Sequence, residues 1–295
     1  MTRVAVLGPG GVGGFVAAAL VRAGVHATVV AREETAAVIA DQGLRVSSVR
    51  LGEFVARPAA TSRLDDDVDV LVVATKATTL APALERVTGE PGLVVPLLNG
   101  LDHLVPLRER FGPRAVAATI RIESDRPAPG VVLQSSPAFR VELASDHPAP
   151  RPRMAAFADV LRSAEIPASL GDSEARVLWS KLVRLNALAC TTTAYDLPLG
   201  QIRDHPRRRL DLEGAVDETA AVANAEGAGL DPDATLRELW EAHPELGSSM
   251  QRDVAAGREP ELDAIPGAVL RHAAAHGLAC PTVESLVERI RARLG

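Results

Sequence analysis

The chain has 295 residues and a mass of 31.0 kDa, which is enough for two domains of ordinary size or one large one. Of these residues 47% are hydrophobic and 24% are charged, a composition that excludes disordered and collagen-like proteins. A net charge of −6 at pH 7 excludes nucleic acid and anionic membranes as main partners on electrostatic grounds, and no apolar run reaches the roughly 18–20 residues of a membrane span.

The cysteine content indicates a reducing compartment. Cys190 and Cys280 are too few for a disulfide scaffold, and they lack the paired spacing of a metal site. The N-terminal residues pass directly into a strand-like run, so we expect no signal peptide. His272 and His276 share a helix face without an obvious third ligand. We therefore expect a cytoplasmic protein without a metal centre.

The first thirty residues predict a strand, a glycine turn, a helix and a second strand. Residues 3–7 form a buried-strand run, residues 15–23 an apolar helical stretch and residues 26–31 a second β-rich run. The turn between them has the spacing Gly-x-Gly-x-x-Gly, which binds a dinucleotide when it lies in such a βαβ unit. We expect the pyrophosphate at the helix N-terminus, and the cofactor-binding residues of this turn are Gly8, Gly10, Gly11, Val12 and Gly13.

Strand and helix patterns continue to alternate after this unit. Strand candidates lie at residues 68–75, 92–98 and 115–121, and helical runs at residues 79–87 and 101–111 separate them. Two more alternating runs between residues 130 and 143 resemble added strands. Alternation of this kind predicts a mostly parallel sheet with helices on both faces.

Beyond about residue 170 the strand patterns end and helical patterns take over. The predicted helices cover residues 173–194, 206–226, 231–242, 261–276 and 282–294. The sequence therefore predicts an α/β protein: a Rossmann-type, doubly wound domain over residues 1–170 and an all-α domain over residues 171–295.

The end of the second predicted strand bears on the choice of cofactor. NAD-specific folds of this type usually place an acidic residue here for the ribose 2′-hydroxyl. This chain has Ala31 followed by Arg32, which suits the 2′-phosphate of NADP because a guanidinium binds phosphate oxygens in a fork. Glu33 or Glu34 becomes the acidic residue if the register shifts, although both also suit the first turn of a helix. We expect NADPH as the cofactor.

Lysine is rare in this chain. Among 32 basic residues only Lys76 and Lys181 are lysines. An ammonium group can donate a proton, whereas a guanidinium stays protonated, so both lysines are candidates for chemistry rather than for surface charge. Lys76 and Asn99 each follow a predicted strand, at the edge where open α/β sheets bind ligands. Strand-end solvation of Lys76 and a simple turn at Asn99-Gly100 are the alternatives.

Several short motifs occur in one order along the chain: the glycine motif, Arg32, VVATKA around Lys76, PLLNG around Asn99, LWSKL around Lys181, and SSMQRD followed by Glu261. With these motifs the chain resembles the ketopantoate reductase (2-dehydropantoate 2-reductase) family over essentially its whole length. The resemblance implies NADPH-dependent reduction of a small 2-oxo acid, 2-dehydropantoate, to (R)-pantoate, a step of pantothenate and coenzyme A biosynthesis.

The resemblance also implies roles for particular residues. Lys181 and Glu261 are the expected catalytic residues: Lys181 is the general acid, and Glu261 lies on the side of the substrate hydroxyl. Lys76 lies beside the cofactor, Asn99 contacts the nicotinamide ribose and the substrate, and Ser249 binds the substrate carboxylate. The chemistry agrees, because a hydride arriving at a ketone carbon leaves negative charge on the oxygen, which needs a proton donor within about 3 Å.

The chain departs from the family on the helix that carries Lys181. Family members have asparagines four and eight residues after this lysine, whereas Leu185 and Ala189 stand at those spacings here. Asn186 lies one residue late, so we expect a π-bulge that returns it to the substrate side as a substrate-binding residue. Two alternatives stay open: a reductase of a different 2-oxo acid or ketone, and a non-catalytic NADP-binding regulator. The sequence also leaves open whether the chain forms a homodimer.

Overall fold

The computed structural model describes residues 2–137 and 139–294, and the chain in it divides into two compact units. The first unit comprises Met1–Leu98 and His103–Val177, and the second comprises Asn99–Asp102 and Leu178–Gly295. The sequence pattern predicts a domain boundary after residue 170. The structure divides the chain within a helix instead, and it assigns the short segment around Asn99 to the second unit.

The first unit contains both strands and helices. Its strands are β1 (Arg3–Leu7), β2 (His26–Val30), β3 (Leu44–Ser48), β4 (Gly52–Ala56), β5 (Ala59–Thr61), β6 (Val68–Val73), β7 (Pro91–Pro96), β8 (Ala117–Arg121), β9 (Ser124–Ala128), β10 (Val131–Gln134), β11 (Arg140–Ala144) and β12 (Ala168–Leu170). Its helices are α1 (Gly11–Arg22), α2 (Glu33–Gln42), α3 (Leu80–Leu84), α4 (Leu104–Phe111) and α5 (Arg151–Ser163), with 3₁₀ turns at Ala77–Thr79 and Gly112–Arg114. Among the described residues of this unit, β3 to β6 and β8 to β11 each follow one another without a helix between them.

The central sheet of this unit is parallel and has the strand order β5-β2-β1-β6-β7. The chain adds strands first on one side of β1 and then on the other, so a switch point lies between β1 and β6. Ligands of open α/β sheets bind at the carboxyl ends of the strands at such a point. This topology confirms the predicted doubly wound, mostly parallel fold.

Both faces of the central sheet are covered by apolar side chains. Along β1, Val4 and Val6 pack into one buried cluster, whereas Ala5 and Leu7 pack into another. Successive strand residues point to opposite faces, so a continuous apolar run such as RVAVL contributes side chains to both clusters. The same physical reason explains why the sequence marks β1, β6 and β7 clearly.

Two smaller sheets complete the first unit, with the orders β4-β3-β10-β9 and β12-β11-β8. The two strands expected between residues 130 and 143 correspond to β10 and β11, which belong to different sheets; Ala138 lies outside the described residues. At the start of β9 the Ser124 hydroxyl donates to the Gly11 carbonyl at 2.8 Å, which fixes this strand against the glycine turn.

Among its described residues, the second unit contains helices joined by turns and loops, and no strands. Helix α6 (Glu174–Tyr195) enters it from the first unit, and the helices that follow are α7 (Leu199–Arg203), α8 (Pro206–Ala225), α9 (Pro232–Glu241), α10 (Ser249–Ala255), α11 (Ala268–Ala275) and α12 (Pro281–Leu294). A π-helix at Asp263–Gly267 precedes α11. Within the described parts of the chain, none of the helices combines the length and the apolar character that a membrane crossing requires.

The π-bulge expected in α6 is absent, and that prediction is wrong. Helix α6 is α-helical from Glu174 to Tyr195. The π-helical geometry lies at Asp263–Gly267, which contains Pro266. Proline has no amide proton to donate to the preceding turn, so a helix through this position must rearrange its hydrogen bonds.

Candidate active site

The glycine turn between β1 and α1 leaves room at Gly10. A Cβ atom placed on Gly10 would meet no atom within 4 Å, and no side chain caps the N-terminus of α1 at this residue. Free amide groups at a helix N-terminus, beside open space, suit phosphate oxygens. Gly8 adopts a φ of +90°, which only glycine takes up readily, and it thereby directs the chain from the strand into the helix.

The other two glycines are required by packing within the protein. A Cβ atom on Gly13 would lie 2.2 Å from the Gly8 carbonyl oxygen, and one on Gly11 would lie 2.3 Å from the Ser124 carbonyl oxygen. The first contact is the close approach of helix and strand that the motif predicts. The second arises from β9, which the motif does not include.

Arg32 and Lys76 both stand at the carboxyl ends of central strands. Arg32 follows β2, and its exposed side chain makes no hydrogen bond or ion pair with a described residue. Glu33 and Glu34 occupy the first turn of α2, as expected of carboxylates near a helix N-terminus. Lys76 follows β6 and is also exposed.

The residue before Lys76 adds one further observation. The Thr75 hydroxyl is buried and has no hydrogen-bond partner among the described residues, and its methyl group would lie 2.8 Å from a Cβ on Gly8. A buried hydroxyl that lacks a partner is unfavourable unless a ligand or water satisfies it. Open space at Gly10, an unpaired guanidinium at Arg32 and this hydroxyl together fit a bound dinucleotide phosphate.

In the second unit, Lys181, Asn99 and Glu261 form a hydrogen-bonded chain. Lys181 Nζ donates to Asn99 Oδ1 at 2.9 Å, and Asn99 Nδ2 donates to Glu261 Oε2 at 2.9 Å. An ammonium group can only donate and a carboxylate can only accept, so these two neighbours fix the orientation of the amide between them. All three residues are half-buried, so their polar atoms remain reachable by a small molecule.

The backbone around Asn99 lies against the segment that carries Glu261. Gly100 has a φ of +82°, and a Cβ atom on it would lie 2.1 Å from the Ala264 carbonyl oxygen in the π-helix. Glu261 stands at the entry to this helix, where its carbonyl accepts from the Ile265 amide at 3.0 Å. A glycine after Asn99 is therefore required for the approach of the two segments, beyond its use in a turn.

Asn186 does not join this group, contrary to the expectation from sequence. It lies five residues after Lys181, about 140° away around a regular helix. Its side chain is fully buried, where Nδ2 donates to the Thr219 hydroxyl at 2.9 Å and Oδ1 accepts from Cys190 Sγ at 3.3 Å. Because these bonds occupy the amide inside the helical unit, Asn186 needs no bulge to satisfy it.

The two serines at the start of α10 differ in their surroundings. Ser248 is buried, caps the helix by accepting from the Gln251 amide at 3.0 Å, and accepts from the Thr192 hydroxyl at 2.9 Å. Thr192 shares the helix face of Lys181, since eleven residues span about three turns. Ser249 is exposed. Capping therefore belongs to Ser248, which leaves the Ser249 hydroxyl available to a ligand.

The sequence gives no signal for three charged residues beside this chain of bonds. Arg271 bonds both Asp102, in the segment of Asn99, and Asp263, near Glu261. No motif singles out Arg271, because arginine is the common cation of this chain. Only the fold brings its two acidic partners together.

The pair His272 and His276 also has an acidic partner that the sequence does not suggest. His272 Nδ1 lies 2.8 Å from Glu226 Oε1, and His276 Nε2 lies 2.9 Å from the same oxygen. Although desolvation raises the pKa of the Glu226 carboxyl, hydrogen bonds from the two histidines lower it more, and its pKa falls below the ordinary value. The Glu226 carboxyl is hydrogen-bonded to both histidines and links α11 to the end of α8.

Comparison with known proteins shows which family the chain resembles. Residues 4–145 match the family model described as ketopantoate reductase PanE/ApbA, and residues 175–294 match its C-terminal model. A 2-dehydropantoate 2-reductase of Caulobacter vibrioides is 31% identical over 303 residues, covering 99% of each chain.

Two solved structures share the fold. The 2-dehydropantoate 2-reductase of Geobacter metallireducens GS-15 superposes with a TM-score of 0.89 at 26% identity, covering 98% of this chain and 99% of that one. A D-mandelate dehydrogenase solved with NADH and anilino(oxo)acetate superposes with a TM-score of 0.87 at 22% identity, covering 99% and 98%. Matching family models over both units, together with the full-length relative, show that the chain belongs to the ketopantoate reductase family of NADPH-dependent oxidoreductases.

Proposed function

We propose that the protein reduces 2-dehydropantoate to (R)-pantoate with NADPH, a step of pantothenate and coenzyme A biosynthesis. The observation that carries the proposal is the hydrogen-bonded chain Lys181–Asn99–Glu261, which combines a proton donor with a group that orients it. A non-catalytic NADP-binding regulator would have no need to keep an ammonium group in this arrangement, so the regulator alternative is disfavoured.

The reaction requires one hydride and one proton. NADPH, when bound, supplies the hydride to the ketone carbon. Lys181 Nζ donates the proton to the ketone oxygen, and its ammonium charge stabilises the negative charge that develops there. Asn99 Oδ1 holds the ammonium group in one orientation, so that Nζ stays in position for the proton transfer. The neutral amine left behind regains its proton from water.

The remaining site residues bind and orient. In the first unit, we propose that Gly8, Gly10, Gly11, Val12 and Gly13 surround the pyrophosphate, that Arg32 pairs with the 2′-phosphate and that Lys76 lies beside the cofactor. In the second unit, Asn99 contacts the nicotinamide ribose and the substrate, Ser249 binds the substrate carboxylate and Glu261 accepts from the substrate hydroxyl. The exposure of Ser249 and Arg32 supports their roles, because both side chains are free to take a ligand.

A second candidate function is the reduction of a different 2-oxo acid with a less polar side group. The observation that favours it is the composition of the Lys181 helix face, where Leu185 and Ala189 replace polar residues and Asn186 is directed away. A polar side group on the substrate would find fewer hydrogen-bond partners along this face. The reaction at the ketone would be unchanged.

The test is a substrate comparison with the purified protein. NADPH oxidation is followed by absorbance with 2-dehydropantoate, with 2-oxo acids that carry aliphatic or aromatic side groups, and with no acceptor. The largest kcat/KM with 2-dehydropantoate supports the proposal, and a larger kcat/KM with an apolar 2-oxo acid supports the second candidate. Tight NADPH binding without turnover of any acceptor would contradict both and favour a regulator.

The proton donor is tested by replacing Lys181. We expect Lys181→Met to lower kcat by about 10²-fold or more, in line with the contribution of a positioned acid, while NADPH affinity stays unchanged. Lys181→Arg should not restore turnover, because a guanidinium is a poor proton donor at neutral pH. Arg237→Met, which removes an exposed cation from the same unit, is the matched control. Wild-type turnover by Lys181→Arg would contradict the assignment.

We propose that the enzyme acts in the cytoplasm, since Cys190 and Cys280 are both buried free thiols, as suits a reducing compartment. Cell fractionation tests this location. Light scattering of the purified protein distinguishes a monomer of 31.0 kDa from a homodimer.

A further inference from the structure

The Arg271 side chain connects two separate segments of the second unit. Its Nε and Nη2 atoms donate to Asp102 Oδ2 at 3.1 and 2.5 Å. Its Nη1 atom donates to Asp263 Oδ1 at 2.7 Å, and Nη2 also donates to the Asp263 carbonyl at 2.9 Å. A planar guanidinium with several donors at fixed angles sets both the distance and the relative orientation of its partners.

The two segments are those that carry Asn99 and Glu261. Asp102 ends the segment Asn99–Asp102, and Asp263 begins the π-helix that follows Glu261. The link through Arg271 therefore runs beside the direct hydrogen bond from Asn99 Nδ2 to Glu261 Oε2. His272 Nε2 lies 3.5 Å from Asp102 Oδ1 and adds a second contact to the same carboxylate.

The exposure of these groups indicates what the link can do. The Arg271 and Asp102 side chains are 47% and 43% exposed, and the Asp263 side chain is 87% exposed. Ion pairs this open to water contribute little to global stability. They can still set the orientation of the short segment that carries Asn99, which Gly100 already brings close to Ala264.

Loss of the link would affect Asn99 more than Lys181 or Glu261. Lys181 lies within the long helix α6, whose backbone hydrogen bonds hold it in place. Asn99 lies in a short loop, and its amide must meet an ammonium group on one side and a carboxylate on the other. A small displacement of the loop would break one bond or both.

We propose that Arg271 is a positioning residue of the reaction, which acts through Asp102 and Asp263 to keep the Asn99 amide between Lys181 and Glu261. Its effect on turnover rests on the proposed function, whereas its effect on the environment of Lys181 does not.

The first experiment measures turnover. Arg271→Gln should lower kcat about tenfold, since misplacement of an orienting group costs rate even when no reacting group is lost. The KM for NADPH and the melting temperature should stay within twofold and within a degree or two of the wild type. The kcat of Arg271→Lys should lie between those of the wild type and Arg271→Gln, because an ammonium group keeps the positive charge but not the forked geometry of the guanidinium. Arg237→Gln, which breaks an exposed ion pair with Asp231 in the same unit, should leave kcat unchanged.

A double-mutant cycle separates positioning from general damage. If Arg271 acts through Asn99, then Arg271→Gln should lower kcat less than twofold in an Asn99→Ala background. A purely structural effect would lower kcat by the same factor in both backgrounds. Equal factors would overturn the proposal, and so would wild-type kcat in the Arg271→Gln single variant.

The second experiment does not depend on activity, and it uses the rarity of lysine in this chain. Acetic anhydride at limiting concentration acetylates Lys76 and Lys181, and mass spectrometry gives the ratio of the two within the same molecules. Lys76 lies in the first unit and serves as the internal reference. Arg271→Gln should raise the ratio of Lys181 to Lys76 acetylation threefold or more, because Lys181 Nζ loses its fixed acceptor on Asn99. Asn99→Ala should raise the ratio as far, and the double variant no further.

The two experiments distinguish the inference from the function. If the wild type turns over no 2-oxo acid, the proposed function is wrong. The acetylation ratio still tests whether Arg271 positions Asn99 beside Lys181. An unchanged ratio in Arg271→Gln would overturn the positioning role even in an active enzyme.

Discussion

The side-chain amide of Asn99 is the place where a cation and an anion of the site meet. Its oxygen accepts from Lys181 and its nitrogen donates to Glu261, so the amide orients both charged groups. An aspartate in this position would offer oxygen to both neighbours and would repel the Glu261 carboxylate. The amide is therefore the suitable group between these two charges.

The residues of the site were predictable to different degrees. Lys181, Asn99 and Glu261 are indicated by motifs, and for Lys181 also by the rarity of lysine. The order of these residues in the hydrogen-bonded chain was not predictable, because the bonds join residues that are 82 and 162 positions apart in the sequence. Arg271 was hidden because it is one arginine among many.

Cofactor preference is expected to depend on Arg32. Arg32→Ala should weaken NADPH binding at least tenfold and leave NADH binding nearly unchanged, since only NADPH has a 2′-phosphate for the guanidinium to pair with. The measurement is the Kd of each reduced cofactor by fluorescence titration. Arg3→Ala, which removes an arginine side chain at the opposite end of the sheet, is the control. Equal losses for both cofactors would contradict the pairing.

At the scale of elements, different glycines of the turn between β1 and α1 serve ligand binding and packing. Gly10→Ala should fold normally, because its Cβ meets open space and its φ of −72° suits any residue, but it should weaken NADPH binding by filling the space for phosphate. Gly11→Ala should instead lower the free energy of unfolding by about 1–3 kcal/mol, because its Cβ would lie 2.3 Å from the Ser124 carbonyl oxygen.

Urea denaturation and cofactor titration of both glycine variants measure these effects. Gly24→Ala is unsuitable as a control because Gly24 has a positive φ, so the two neighbouring variants serve as controls for each other. Loss of stability in Gly10→Ala, with NADPH affinity unchanged, would reverse the two assignments.

The contact between α11 and the end of α8 should depend on pH. The pKa of Glu226 is lowered from 4.5 by its bonds to His272 and His276, so its contribution is present above pH 4.5 and is lost as the pH falls through the folded-state pKa. At pH 6.5, Glu226→Gln should reduce the free energy of unfolding by about 1–2 kcal/mol. The difference should shrink steadily below pH 4.5, where the carboxyl becomes neutral like the amide.

The measurement for Glu226 is urea denaturation of both proteins between pH 3.5 and pH 7. Glu241→Gln removes an exposed carboxylate from the same unit and should change stability little at any pH. A Glu226→Gln difference that is constant across this range would show that the histidine bonds do not depend on the charge.

Element prediction failed where polar residues found partners inside the protein. The bulge expected in α6 assumed that Asn186 must reach the substrate, whereas Thr219 and Cys190 satisfy it within a regular helix. Pro266 was a visible reason for an irregular helix at residues 263–267, and it lay inside a run that periodicity alone marks as one helix.

At the scale of the whole molecule, the fold class followed from the distribution of apolar residues. Continuous apolar runs identified the buried parallel strands β1, β6 and β7, and helical periodicity identified the second unit. The sheet β4-β3-β10-β9 was largely missed, because strands such as β3 alternate between buried and exposed residues over only five positions. Its pairing of β3 with β10 joins distant parts of the chain, which no local pattern encodes.

The second unit takes the segment Asn99–Asp102 from the middle of the first, and this restricts how related enzymes can be recombined. A chimaera made by one crossover near residue 177 would inherit Lys181, Glu261 and Arg271 from one parent but Asn99 and Asp102 from the other. The hydrogen bonds of Asn99 and Asp102 to Lys181, Glu261 and Arg271 would then join residues from different parents. Exchange of substrate range between homologues therefore requires the short segment to be transplanted together with the helical unit.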